Sequence, residues 1–529
     1  MNPLIYMSLR RVTVNALDFT ILAINVKDSC RLSCHLGRCY DKAFELAPCL
    51  ARVESGRQAG IKINNRDKAI FKFFKKIFSA NDTPSKSDAP AAAEPNDSVR
   101  VYARSEHCIS RSQISDNALK VLQRLKKADF EAYLVGGCVR DLLLGREPKD
   151  FDVATNASPE QVKQIFRNCR IIGRRFRLAH VFFGSEIIEV ATFRGSEPVN
   201  AEQQVIHEDG RLLRDNVFGT LEQDVWRRDF TVNALYYNIR DFSVIDYTGG
   251  MQDHANATLN LIGDPEIRYR EDPVRMLRAV RFAVKLGFTI HPRSEQPILA
   301  MADLLKSIPS ARLYDETLKL FLAGYGVQTF EMLRHYGLFA ILFPETDRCL
   351  KTQDHDFPRL FLIRALENSD KRYAEGKSLT PYFLLAAMLW EPLQLSAQKR
   401  IAHGENETIA YQNAANEVLN KQIKITALPR HVTQSMRDVW FLQNKFTRTV
   451  GSRPFRLLEQ PKFRAAYDFL QLRAETGGAD PTLVDWWTRF QSADEEQQQK
   501  MTTPGKNGPS KPRSKSRRYR PRSKPATPQ

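Results

Sequence analysis

Two aspartates one residue apart, Asp150 and Asp152, follow a double glycine and an arginine in YLVGGCVRDLLLGREPKDFDVAT, residues 133–155. On a strand, successive side chains point to opposite faces, so the two carboxylates share one face while Phe151 turns toward the core. Two anions that close together repel unless a cation compensates them, which makes the pair a platform for a divalent metal. Gly136 and Gly137 stand where a strand turns into a helix, so the backbone can approach a phosphate and offer N–H groups to it. Arg140, on the first turn of that helix, adds a positive fork. A lone Asp pair is more often a solvated strand edge, and a lone Gly pair a tight turn. Together they indicate in-line displacement on a triphosphate, with a hydroxyl activated and pyrophosphate stabilised by metal.

A third carboxylate would complete the clamp. Asp229, in DVWRRDFTVNALYY behind Arg227 and Arg228, is the expected one; Glu189, in IIEVATF, competes with it. As structure alone, Asp229 could be a helix N-cap. Further on, REDPVRMLRAVRFAVKLG places Asp272 and Pro273 as N-cap and first-turn residues of a helix. Met276, Leu277, Val280, Ala283 and Val284 form its buried stripe. Arg275 and Arg278, three apart, project from a neighbouring face and could reach a base or a triphosphate.

The elements that must position these residues form a compact α/β unit. A helix (ISDNALKVLQRLKKADF) precedes a strand (EAYLV), the glycine turn, a helix (RDLLLG) and a strand (FDVAT); further strands follow at HVFFG, IIEVATF, ALYYNI and VIDYT. From about residue 265 the pattern is helical, through to LVDWWTRFQ. The fold class is therefore α+β, a mixed β-sheet head followed by helices.

The chain has 529 residues, 42% of them hydrophobic, and a formal charge of +18, which favours a polyanionic partner. Residues 506–524 hold nine Lys or Arg and no acid. So Pro/Ser-rich and basic a run cannot bury enough apolar surface to offset its ordering entropy, and it reads as a disordered arm that contacts nucleic acid through Lys511, Arg513, Arg517, Arg518, Arg520 and Arg522. Residues 1–110 end in a linker-like stretch, SANDTPSKSDAPAAAEPNDS. Just before it, AIFKFFKKIF reads as a short basic amphipathic helix over residues 69–78, suited to a partner or to peripheral contact with the inner membrane. Cys30, Cys34, Cys39 and Cys49 cluster near His35 but lack paired CxxC hooks, so a zinc site is not expected. Scattered thiols suit a reducing cytoplasm. No run of about 18 uninterrupted apolar residues is present, and no signal peptide is expected.

GGCVRD with DFD, then RRDFTVNAL, DYTGGMQD and EDPVRMLRAVRF, together resemble the ordered motifs of the class II nucleotidyltransferase superfamily, which comprises bacterial poly(A) polymerases and tRNA CCA-adding enzymes. The likeness runs from about residue 111 to 491 and leaves the first 110 residues uncovered; Cys138 stands where the family often has Gly or Ala. It implies a nucleotidyltransferase-type head over 111–260, an all-α nucleotide-selecting neck over 261–350, an RNA-binding helical body over 351–492 and a disordered basic tail over 493–529, after a largely disordered extension. It further implies that Asp150 and Asp152 ligate Mg²⁺ (or Mn²⁺) and that Asp229 is the third acid. Gly136, Gly137 and Arg140 would hold the triphosphate of ATP, with Arg228, Asp272, Arg275 and Arg278 contacting the nucleotide. IIGRRFRLAHV, residues 171–181, is similar to a segment that marks the poly(A) polymerase branch, and the basic tail points the same way. The expected activity is adenylate addition to RNA 3′ ends (mRNA, tRNA and small RNA), promoting RNA decay in company with decay machinery or an RNA chaperone. The alternatives are tRNA CCA addition and a non-catalytic RNA-binding protein, against which the paired acids argue.

Overall fold

In the computed structural model, the described residues run from 99 to 503, apart from 174–176, 196–203, 207–211, 216 and 353–356. The amphipathic segment at 69–78, the cysteine cluster with His35 and the six tail cations lie outside them.

The head is one mixed sheet of eight strands in the order β1-β10-β9-β2-β3-β6-β5-β4. These are β1 (Arg100–Tyr102), β2 (Ala132–Val135), β3 (Asp152–Thr155), β4 (Cys169–Ile172), β5 (Leu178–Phe183), β6 (Glu186–Thr192), β9 (Tyr236–Tyr237) and β10 (Val244–Asp246). A separate antiparallel pair, β7 (Gln204–Ile206) and β8 (Leu212–Asp215), falls between β6 and β9 in the chain. The pairing of β3 with β6 is parallel and puts Asp152 opposite Glu189; β2 runs antiparallel to β3, with Leu134 opposite Val153. The head therefore starts at β1, ahead of the expected residue 111, because three residues after the linker add antiparallel to β10.

Alternation along β3 sorts its residues as expected. Val153 joins Phe151 in the core beneath α1 (Asp116–Lys127), α2 (Gly137–Leu143) and α3 (Pro159–Ile165), where Leu122, Leu125, Val139 and Phe166 are fully buried. Ala154 packs on the other face against Val135, Phe193, Val225 and Tyr236. Asp152 has the parity of Ala154, so it faces that second side.

Beyond α4 (Leu221–Trp226) and α5 (Gly250–Ala255) come α6 (Pro265–Glu271), α7 (Val274–Leu286), α8 (Pro292–Met301) and α9 (Ser310–Phe321). The stripe expected on α7 is buried, and Gly287 ends the helix in a left-handed conformation, φ +75°. One short parallel pair, β11 (Thr258–Leu259) with β12 (Thr289–Ile290), interrupts the all-helical expectation for this region. The remaining helices, Gly326–His335 through Pro481–Ser492, share the large apolar core that runs from Phe230 through α7, plus a smaller cluster around Phe446, Phe463 and Trp487. Order does not stop at residue 492. Asp494 caps the last helix among the described residues, Glu495–Thr502, by accepting from the Gln497 N–H, and the Gly451 N–H donates to the Thr502 carbonyl.

Candidate active site

Strand β3 begins at Asp152, so Asp150 sits exposed just ahead of it while Phe151 is buried. Because β2 is antiparallel to β3, the turn after Val135 lies beside this end of β3. Gly136 adopts φ +76° and ψ −126°, a region nearly closed to other residues, and a β-carbon there would stand 3.6 Å from the Arg228 guanidinium. Sequence spacing thus brings the glycine turn and both carboxylates together, with Arg228 as the adjacent cation.

Burial, reinforced by Glu189 and Asp150 and opposed by Arg228, pushes the Asp152 carboxyl up to about 6. Side chains opposite each other on parallel strands point to the same face, so Glu189, 42% exposed at its side chain, is the acid that confronts Asp152. Asp229 is engaged elsewhere. Its Oδ2 accepts from Arg278 Nε (2.7 Å) and Nη2 (2.5 Å), and its Oδ1 from the Phe230 N–H and Asn233 Nδ2. Burial alone would raise the Asp229 carboxyl, but Arg278, Asn233 and the Phe230 N–H hold it down to about 2. Among the described residues, no three His, Cys, Asp or Glu side chains already form a metal cage. An open acidic pair is what Mg²⁺ uses when phosphate oxygens and water complete its shell.

Arg140 is not at the open face. It is 2% exposed, with Nε and Nη2 donating to Asp141 and Nη1 to Asn233 (2.6 Å), and its guanidinium stacks 5.3 Å over Phe282. Its Nη1 ties α2 to the 231–233 turn and its ring contact ties it to α7, so a phosphate would have to displace buried partners to reach it. Cys138 is buried too, and burial pushes its thiol up to about 12, leaving it unreactive.

Arg228, the cation that acts on Asp152, also lines a cavity of about 330 Å³, of nucleotide size. Seven arginines line it (194, 227, 228, 268, 275, 278 and 312), with Asp224, Asp229, Glu271, Asp272 and Glu316. Ala191, two residues past Glu189 on the same face of β6, forms part of the wall. Each predicted arginine is fixed by its neighbours. Arg228 donates to the Tyr236 hydroxyl (2.7 Å) and Asp224 (2.9 Å), and these partners reverse the depression that burial would impose on it. Arg275 donates to the Arg268 carbonyl (2.6 Å) and Glu271 (2.9 Å). Asp272 accepts from the Val274 N–H at the start of α7 and from Arg312 (2.6 Å). Burial, then the neighbouring Arg194 and Arg268, pulls the Arg227 guanidinium down to about 10. The lining residues Arg194, Asp224, Arg268, Glu271, Arg312 and Glu316 carry no motif of their own, although RYRED and LEQDVWRRD hold three of them beside the motifs.

Three segments of the chain match families described as "Poly A polymerase head domain" (residues 132–260), "Probable RNA and SrmB- binding site of polymerase A" (287–350) and "Polymerase A arginine-rich C-terminus" (403–524). Poly(A) polymerase I of Escherichia coli O157:H7 is 50% identical over 461 residues, 86% of this chain and 97% of that protein. The chain belongs to the bacterial poly(A) polymerase I family. Poly(A) polymerase I of Haemophilus influenzae is 47% identical over 83% of this chain and 98% of its own. A CCA-adding enzyme of Lactobacillus helveticus, from the sister branch of the class II nucleotidyltransferases, is 39% identical over only 41% of this chain and 52% of its own. The Thermotoga maritima CCA-adding enzyme, solved with tRNA, superposes with a TM-score of 0.51 at 18% identity, covering 77% of this chain and 91% of that one, which shows the shared fold. The chain is thus a poly(A) polymerase, a nucleotidyltransferase. No helix among its described residues is long and apolar enough to cross a membrane.

Proposed function

We propose that the protein adds AMP from ATP to RNA 3′ ends without a template. The observation that supports this reading is a nucleotide-sized cavity walled by arginines, one of which, Arg228, also acts on Asp152 at the start of β3. Asp150 and Asp152 would hold Mg²⁺, or Mn²⁺ in its place; bound there, the ion would lower the pKa of the 3′-hydroxyl and neutralise charge on the departing pyrophosphate. Glu189, facing Asp152, is the third acid of this edge, and Asp229 is a positioning residue that fixes Arg278. The Gly136–Gly137 turn and Arg228 bind the triphosphate, while Arg140 locks the turn from behind. Asp272, Arg275 and Arg278 contact the base and ribose. A site that reads polar base edges rejects the wrong base by leaving buried groups unpaired, which replaces a template strand.

Similarity that continues to residue 524 supports the poly(A) branch, since the CCA-adding relative matches only two-fifths of the chain. The match over 287–350 supports RNA and a protein of RNA metabolism as partners of the neck. Helices beyond residue 351 and the basic arm, Lys511 to Arg522, would guide RNA, with the chain acting in the cytoplasm and residues 69–78 offered to the inner membrane surface. The test is extension of a generic RNA by purified protein with Mg²⁺ and each nucleoside triphosphate separately. ATP should be incorporated far better than CTP, GTP or UTP; addition confined to C, C and A on tRNA would overturn the reading.

A further inference from the structure

Four of the five acids on the cavity wall are ion-paired with arginine: Asp224 with Arg228, Asp229 with Arg278, Glu271 with both Arg268 and Arg275, and Asp272 with Arg312. Glu316 differs. It lies on α9 one turn past Arg312, on the stripe that otherwise buries Leu313, Thr317, Leu320 and Phe321. Its side chain is only 7% exposed. Oε1 accepts from Lys319 Nζ at 2.8 Å, whereas Oε2 is buried and has no donor among the described residues. Packing of α9 would be served as well by a leucine there, and a buried acceptor without a donor is destabilising. Such an oxygen on a ligand-sized cavity is an acceptor held in reserve for a ligand's N–H.

We infer that Glu316 reads the incoming base by accepting a hydrogen bond from the exocyclic amine of adenine. The inference rests on the adenylate-adding function proposed above. Arg312 and Glu316 come from the same face of α9, so the helix that ties down Asp272 also presents the unsatisfied oxygen across from Arg275 and Arg278. Adenine offers an N–H at this edge. Guanine and uracil offer a carbonyl oxygen instead, which would set two acceptors against each other in a desolvated site. Cytosine also carries an amine, so Glu316 separates amino from oxo bases and leaves the choice of purine over pyrimidine to the span of the cavity. Arg281, whose Nε also lacks an acceptor while its guanidinium lies 4.5 Å from the Phe282 ring, is the residue Glu316 would merely neutralise if its role were structural.

The experiment compares kcat/KM for extension of one oligoribonucleotide with ATP, GTP and purine riboside triphosphate, which has hydrogen in place of the 6-amino group. The proteins are the full-length chain and its Glu316→Gln and Glu316→Ala variants. The unmodified chain should prefer ATP to the deamino analogue by about tenfold to a hundredfold, the range of one hydrogen bond to a charged acceptor. Glu316→Ala should bring that ratio close to one. Glu316→Gln, nearly isosteric and therefore expected to fold, should raise GTP relative to ATP because its amide can donate to the guanine oxygen. Ratios unchanged in both variants, or an equal loss on all three triphosphates as expected of a partner for Arg281 alone, would overturn the inference. Failure of the unmodified chain to use ATP at all would instead overturn the proposed function beneath it.

Discussion

Glu189 and Asp229 compete for one role, and replacing each by its amide separates them. Glu189 stands opposite Asp152 on the neighbouring parallel strand, and adjacent strands lie about 4.8 Å apart. Two unit charges at that spacing, in an effective dielectric near 20, interact by about 3.5 kcal/mol. The rise of the Asp152 carboxyl from 3.8 to about 6 corresponds to about 3 kcal/mol, a similar size, although burial supplies the largest part. A divalent ion held by Asp152 gains attraction from Glu189 on the same scale, discounted because the Glu189 side chain is 42% exposed. Glu189→Gln should therefore weaken Mg²⁺ binding by about 2 kcal/mol, raising the Mg²⁺ midpoint roughly 30-fold. Asp229 has both oxygens committed to Arg278, Asn233 and the Phe230 N–H. Asp229→Asn should raise KM for ATP by misplacing Arg278 and leave the Mg²⁺ midpoint within about threefold of the parent. The assay is adenylate incorporation across a Mg²⁺ titration at fixed ATP, with melting temperature as a control for folding. A large Mg²⁺ shift in Asp229→Asn with none in Glu189→Gln would refute this assignment and restore Asp229 as the third acid.

Arg140→Met should destabilise the head by about 3–5 kcal/mol, since it strands the buried Asp141 and Asn233 oxygens; a urea midpoint unchanged from the parent would count against the locking role. Asp229 has a folded value near 2 against 3.8 unfolded, and a depressed value stabilises above the unfolded pKa; its contribution of about 2 kcal/mol is complete above pH 3.8 and lost progressively down to pH 2. Acid unfolding of Asp229→Asn should accordingly be flatter in that window, which a fluorescence titration would show. Removing residues 504–529, a cut placed after the helix that ends at Thr502, should lower the salt dependence of RNA binding and leave single-adenylate addition intact; an unchanged slope of affinity against salt would exclude the arm from RNA contact.

What the sequence revealed was local. Asp150, Phe151 and Asp152 declare their faces by alternation, and Asp272 with Pro273 announces the start of α7, because each pattern is settled within a few residues. The third acid was not settled this way. Glu189 is matched to Asp152 by a parallel strand pairing that the chain sets up through an intervening helix and hairpin, and nothing within IIEVATF marks that register. Arg140 looks like a phosphate ligand because arginine on a first turn usually faces water; its partner Asn233 lies 93 residues away and turns it inward. Arg312 and Glu316 belong to a helix whose amphipathic pattern reads as ordinary, so only the cavity gives them meaning. The helix at Glu495–Thr502 did carry a signal, Asp494 three residues before Gln497, which the charge of the neighbouring tail obscured.

An enzyme that selects its nucleotide without a template must keep the selecting groups in place before the nucleotide arrives. Seven arginines around one cavity would repel one another and swing toward solvent if left alone. Four acids on the same wall hold them, and the pairing is mostly to side chains or carbonyls fixed in secondary structure, such as Arg275 on the Arg268 carbonyl and Arg268 on those of Arg227 and Arg228. With Glu316 counted, two positive charges remain by formal count, which suits a triphosphate partly neutralised by the divalent ion that Asp150 and Asp152 are proposed to hold. A free triphosphate would leave the site negative. The acids are thus as necessary to selection as the arginines: they make a rigid, nearly neutral wall from residues that would otherwise form a mobile cationic patch, and such a patch would bind any polyphosphate without reading its base.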